Sequence, residues 1–231
     1  MEEKENKFDN FNLKETLLRG IYSYGFETPS NIQSLSVPFI IDKKDTIAQA
    51  QSGTGKTGAF AIGCLQNLDE DLKRTQTLII APTHELCHQI FHVITELSKY
   101  MNIPSMEVVG GTNVNECVYQ LSKDPQIIIG TPGRVLDMIQ KKHLYTDGIK
   151  SLILDEADEI LSYGFMDNIY NIIKYMSKTT QICLFSATMP NEIIELSTQF
   201  LNKPEHILVN KEEVTLEGIK QFYINVQNYN W

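Results

Sequence analysis

Ala50, Gln51, Ser52, Gly53, Thr54, Gly55, Lys56 and Thr57 follow one another as a small-residue loop between a β-branched run at 45–49 and a helical pattern at 57–68. Glycines in such a loop let backbone N–H groups turn inward around phosphates, a lysine reaches the β and γ phosphates, and the next hydroxyl holds Mg²⁺. Lys56 and Thr57 fit those roles. The strict pattern opens with glycine, and here Ala50 stands first. A loop of this kind needs an acidic element on a neighbouring strand. Residues 151–158, Ser-Leu-Ile-Leu-Asp-Glu-Ala-Asp, supply an apolar run with carboxylates at its exit. Asp155 is the second candidate metal ligand beside Thr57, and Glu156 the general base that polarises a water. Alone, Asp155 reads as a helix cap; with the loop upstream, Lys56, Asp155 and Glu156 become the catalytic candidates.

These residues need a scaffold. Short β-branched runs recur at 45–49, 77–81, 106–110, 126–130, 151–155, 181–185 and 207–210, separated by stretches with helical spacing such as 57–68, 83–100, 132–141 and 190–201. The alternation predicts an α/β fold, a mostly parallel sheet with helices on both faces. Loops leaving the carboxyl ends of the strands then share one edge, where ligands bind. Every motif except the N-terminal one falls on such a loop. With 231 residues the chain fits one domain. Residues 1–7 are charged and expected to be disordered, 8–210 form the domain, and 211–231 are a polar stretch and a last apolar run, at 219–226, that stops without a closing element.

Composition narrows the classes. At 42% hydrophobic and 21% charged, the chain is ordinary for a globular protein. No apolar run suits a membrane span, and the N-terminus lacks a signal peptide's apolar core; an intracellular protein is expected. Cys64, Cys87, Cys117 and Cys183 are widely spaced with no Cys-x-x-Cys, which predicts buried free thiols. The net charge of −9 counts against a strong nonspecific grip on nucleic acid.

Residues 50–57, residues 155–158 (Asp-Glu-Ala-Asp) and residues 186–188 (Ser-Ala-Thr) together resemble the signature of DEAD-box ATP-dependent RNA helicases. The resemblance runs from Phe8 to Trp231. It implies a RecA-like P-loop fold, ATP and Mg²⁺ as cofactors, and a coupling role for Asp158, Ser186 and Thr188 between nucleotide state and RNA remodelling. Residues 25–33, Gly-Phe-Glu-Thr-Pro-Ser-Asn-Ile-Gln, resemble the family's glutamine motif, with the isolated aromatic Phe8 seventeen residues before Gly25. The Gln33 amide, one donor beside one acceptor, fits the N7 and N6 edge of adenine and mismatches guanine. Phe8 is expected to stack on that base.

Three more strand exits suit a nucleic-acid backbone. Thr131 precedes Pro132 at a helix's first position, so the helix terminus and Arg134 can both meet a phosphate. Gly110 and Gly111 offer backbone N–H groups, and Pro82 and Thr83 open another helix. Such contacts read backbone and 2′-hydroxyl rather than sequence. The family has Pro-Thr-Arg-Glu-Leu-Ala where residues 82–87 read Pro-Thr-His-Glu-Leu-Cys. A histidine is mostly neutral at pH 7, so His84 weakens an expected phosphate contact.

That change creates His84, Glu85 and His88 in the His-Glu-x-x-His order of zinc peptidases, with His92 on the same face. A peptidase is the remote alternative. A second is a module whose P-loop only switches, which Glu156→Gln would leave unaffected. Only three arginines occur, Arg19, Arg74 and Arg134, and none stands where it would face the loop as an arginine finger. The resemblance supplies that finger from a second RecA-like domain, toward which 216–226 would lead. Residues 8–13, 18–22, 110–113, 186–190 and 216–220 resemble the translation-initiation branch, implying a scaffold protein and messenger RNA as partners in the cytoplasm. The exon-junction branch, in the nucleus, is the alternative.

Overall fold

The computed structural model describes residues 7–209. The expectations for residues 1–6 and 210–231, including the apolar run at 219–226, lie outside the described residues. Seven strands are present: β1 (Thr46–Gln49), β2 (Thr77–Ile80), β3 (Ser105–Val108), β4 (Ile127–Gly130), β5 (Ser151–Leu154), β6 (Gln181–Ser186) and β7 (Glu205–Leu208). They form one sheet in the order β3-β4-β2-β5-β6-β1-β7, and every ladder is parallel. The central strands are buried along their whole length, which is why 127–129 is an uninterrupted Ile-Ile-Ile rather than an alternating run.

The pleat splits those apolar residues between two cores. Ala48, Ile79, Ile129, Ile153 and Phe185 face α1 (Glu15–Tyr24), α2 (Asn31–Ile41), α3 (Lys56–Asn67) and α4 (His84–Leu97). Ile47, Ile80, Ile128, Leu152 and Leu184 face the other layer: α5 (Val114–Leu121), α6 (Pro132–Gln140), α7 (Ala157–Ser162), α8 (Met166–Lys174) and α9 (Asn191–Phe200). A short 3-10 turn, Phe8–Phe11, packs under the first layer.

Element ends differ from expectation for local reasons. The third strand ends at Val108 rather than 110, because Gly111 turns with φ 70°. The helix expected at 83–100 is α4, with Thr83 outside it as cap, its hydroxyl accepting from Leu86 N at 3.2 Å. The four cysteines are free and buried. Among the described residues no helix is long and apolar enough to cross a membrane.

Candidate nucleotide site and nucleic-acid groove

β1 delivers the loop to the middle of one sheet edge, where Ala50 N still donates to Ser186 O of β6 at 3.1 Å. Gly53 (φ 82°) and Gly55 (φ 99°) take left-handed conformations there, and Gly55 caps α3. Lys56 is 5% exposed. Its Nζ donates to Ala50 O at 2.9 Å and meets the Glu156 carboxylate at 3.1 Å. Ser52 Oγ donates to the same carboxylate at 3.0 Å. A phosphate entering the loop must therefore take Lys56 and Ser52 from Glu156.

β5 lies two strands from β1, with β6 between, and this brings the acidic pair to the loop. Glu156 itself is left-handed, φ 48° and ψ 55°, an uncommon conformation for a non-glycine residue and one that clusters at functional sites. Asp155 is 2% exposed, and its Oδ1 accepts from Glu156 N at 3.1 Å. Burial pushes its carboxyl up to about 7, the Glu156 charge adds to the rise, and Lys56 opposes it. A buried carboxylate that is costly to ionise is where a cation belongs. The Thr57 side chain has no hydrogen-bond partner among the described residues, so the pair offers hard oxygen donors of the kind Mg²⁺ takes.

Gln33 is 3% exposed and sits against the loop rather than on the surface. Its Oε1 accepts from Ser30 N at 2.9 Å, and its Nε2 donates to Gly55 O at 3.2 Å. Adenine would compete with both contacts. The expected stacking of Phe8 on a base does not fit this structure. Its ring is 0% exposed, stacked on Phe26 with centroids 6.2 Å apart and flanked by Phe11 and Tyr22. The ring belongs to the core cluster beneath α1 instead. Half-buried Phe26 is the ring that reaches the first turn of α3, just past the loop: a Cβ on Gly58 would lie 3.0 Å from its Cε2. Ser30 was also missed; it forms a capping box with Gln33 at the start of α2, its buried hydroxyl beside Gly55. The Ser-x-x-Gln spacing of a helix start could have signalled it.

Asp158, Ser186 and Thr188 are brought together on the same edge. Asp158 Oδ2 accepts from Thr188 N at 2.9 Å and from Thr188 Oγ1 at 2.7 Å. Ser186 Oγ donates to Thr188 O at 2.7 Å and accepts from Asp158 N at 3.2 Å. Burial raises the Asp158 carboxyl, but the bonds from Thr188 and Ser186 outweigh it and the net shift is downward. Asp158 Oδ1 stays buried without a partner.

The other strand exits surround a groove of about 400 Å³ lined by Pro82, His84, Gly110, Thr131, Gly133 and Arg134, with Asp137 and Phe165 as unforeseen members. Thr83 is engaged as the cap of α4. Gly110 N–H, expected to be open, is taken by Thr131 Oγ1 at 3.2 Å. Arg134 reaches Thr112 Oγ1 at 3.2 Å and Thr112 O at 3.0 Å, which fixes its guanidinium over the turn that holds Gly111. The His84 ring lies over the same turn, 3.6 Å from where side chains on Gly110 and Gly111 would begin. His88 instead faces Glu107, with Nδ1 3.3 Å from the carboxylate. The two histidines thus serve different neighbours. Among the described residues no group of three His, Cys, Asp or Glu side chains is arranged to hold a metal.

A parallel sheet with a phosphate loop after β1, an Asp-Glu exit two strands away and hydroxyl-carboxylate contacts between them defines a P-loop nucleotide-binding domain of the RecA-like kind. The DEAD/DEAH box helicase family model matches residues 30–196. The chain belongs to that family, which displaces the peptidase alternative. It is 51% identical over 230 residues to the ATP-dependent RNA helicase eIF4A of Pyricularia oryzae, covering 100% of this chain and 58% of that protein. It is 52% identical over 221 residues to the protein of the same description in Candida albicans, covering 96% and 56%. Among solved structures, a DEAD box protein from Methanococcus jannaschii superposes with a TM-score of 0.84 at 36% identity, covering 87% of this chain and 55% of that one. S. cerevisiae Dbp5 bound to RNA and ADP BeF3 gives 0.83 at 33%, covering 94% and 55%. The chain therefore spans somewhat over half the length of the relatives it matches.

Proposed function

We propose that this chain is the ATP-binding and hydrolysing lobe of an RNA helicase that remodels or unwinds RNA in cytoplasmic translation initiation. The observation that carries the reading is the convergence of Lys56 and Ser52 on Glu156, which ties the phosphate loop to the acidic strand exit. In this reading a triphosphate draws Lys56 and Ser52 to itself and frees the Glu156 carboxylate to orient water and take its proton. Thr57 and Asp155 hold Mg²⁺, which when bound neutralises charge on the phosphates. Gln33 reads the adenine edge and Phe26 covers the base. The groove at Pro82, Gly110, Thr131 and Arg134, with Gly111 on the adjoining turn, holds RNA backbone and 2′-hydroxyls without reading sequence, and Asp158, Ser186 and Thr188 relay nucleotide state to it. The relatives named eIF4A favour initiation over the exon-junction alternative, and a scaffold protein is the expected partner.

The experiment is calorimetric titration with Mg·ADP and Mg·GDP, repeated on Gln33→Ala. A preference for ADP that disappears in the variant supports the reading; equal binding of both nucleotides, or of neither, removes it. The arginine finger of phosphoryl transfer, worth about 10³-fold or more, is assigned to a second RecA-like domain. Arg19 lies over the Tyr100 ring, Arg74 pairs with Asp147 and Arg134 holds Thr112, so none of the three faces Lys56.

A further inference from the structure

The amino ends of the central strands, the edge opposite the phosphate loop, enclose a cavity of about 510 Å³. Thr77, Ser151 and Gln181, the first residues of β2, β5 and β6, line it together with Cys64 near the carboxyl end of α3. All four are buried. The volume lies within the range of small-molecule sites, about 300–1,000 Å³.

The hydrogen bonds around it decide its chemistry. The two lining glutamine amides, Gln76 and Gln181, are already paired within the protein. Gln181 Nε2 donates to Ile40 O at 3.2 Å and Lys44 O at 2.7 Å, and Ser151 Oγ donates to Gln181 Oε1 at 3.2 Å. Gln76, 1% exposed, donates through Nε2 to Asp69 O at 2.7 Å and Leu72 O at 3.1 Å. Donors are left over. The Lys43 ammonium has no partner among the described residues. Lys150 commits Nζ to one acceptor, Gln76 Oε1 at 3.0 Å, and an ammonium carries three protons. Arg74 meets Asp147 through Nη1 alone, at 3.2 Å. Three cations against one carboxylate leave two positive charges on this cavity, in a chain whose net charge is −9.

We propose that this cavity binds a small organic phosphate monoester, whose dianion matches the two surplus charges and whose oxygens accept from Lys43, Lys150 and Arg74. The site is independent of the phosphate loop, which lies at the other end of α3.

The test is an ¹H–¹⁵N NMR titration of the chain with glycerol 3-phosphate, with glycerol and acetate as comparison probes and Mg·ADP present at saturation. Saturable shifts of the Gly148 and Lys150 amides are expected for the phosphate, at about millimolar affinity or tighter. Lys43→Glu with Lys150→Glu, both exposed positions, should weaken that binding at least about tenfold while the rest of the spectrum keeps its dispersion. Arg74→Gln, changed singly with Lys43 and Lys150 intact, should also weaken it. Shifts confined to Gly53 and Gly55, shifts of equal size with glycerol or acetate, or an unchanged affinity in the charge-reversed variant would each overturn the proposal.

Discussion

Glu156 faces two donors at once, so its removal separates binding from chemistry. Glu156→Gln should keep ADP affinity within about threefold while lowering single-turnover ATP hydrolysis by roughly 10² or more; unchanged hydrolysis would make the loop a switch and Glu156 only its latch. Asp158 makes a different kind of contribution. A carboxyl whose folded pKa is depressed below 3.8 adds stability that is present above that value and lost as pH falls through the folded one. Asp158→Ala should therefore melt lower than the parent at pH 7, with the gap closing on acidification toward pH ~3. A gap constant across that range would mean that its hydrogen bonds to Thr188 hold without charge. At the groove, His84→Arg places a permanent cation over the turn that holds Gly111. RNA affinity should rise several-fold at low salt, with the salt slope steeper by about one unit, read by fluorescence anisotropy.

At the scale of elements, the nucleotide site depends on how α2 lies against α3, because α2 carries Gln33 and α3 begins at Lys56. Gly63 makes that approach possible: a Cβ there would sit 2.5 Å from Ile40 Cγ2. Isoleucine is stiff in a helix, so the neighbour cannot swing away. Gly63→Ala should cost about 1–3 kcal/mol in chemical denaturation and weaken ADP as well, since the pried helices carry Gln33 off Gly55. A variant with lower stability and intact ADP affinity would show that the two ends of this helix pair are uncoupled. All seven strand positions were legible from β-branched runs, and α3, α4, α6 and α9 from their spacing. The elements that periodicity served least were the short ones, α7 at six residues and α5 at eight, because so few turns leave little pattern to read.

For the whole molecule, the placing of Arg19, Arg74 and Arg134 away from Lys56 predicts that these 231 residues hydrolyse ATP very slowly and unwind no duplex. Robust unwinding by this chain would overturn that, and added second-domain protein should raise hydrolysis above the sum of the parts. The sequence by itself determined the chemistry on offer: a phosphate loop, an acidic strand exit, a candidate adenine-reading amide and a parallel sheet that puts strand exits on one edge. Those signals are local, set by residue type and by spacing within a few turns. Which donors each group meets was decided only by tertiary packing. Phe8 was expected at the base and is in the core, because burial of an aromatic ring outweighs any local cue. Gln33 stood out in the sequence as a candidate reader of adenine, yet its contact to Gly55 O depends on α2 docking on α3, 22 residues along the chain. The cationic cavity was invisible for the same reason: Lys43, Arg74 and Lys150 lie on three separate connections and become neighbours only when the sheet is assembled.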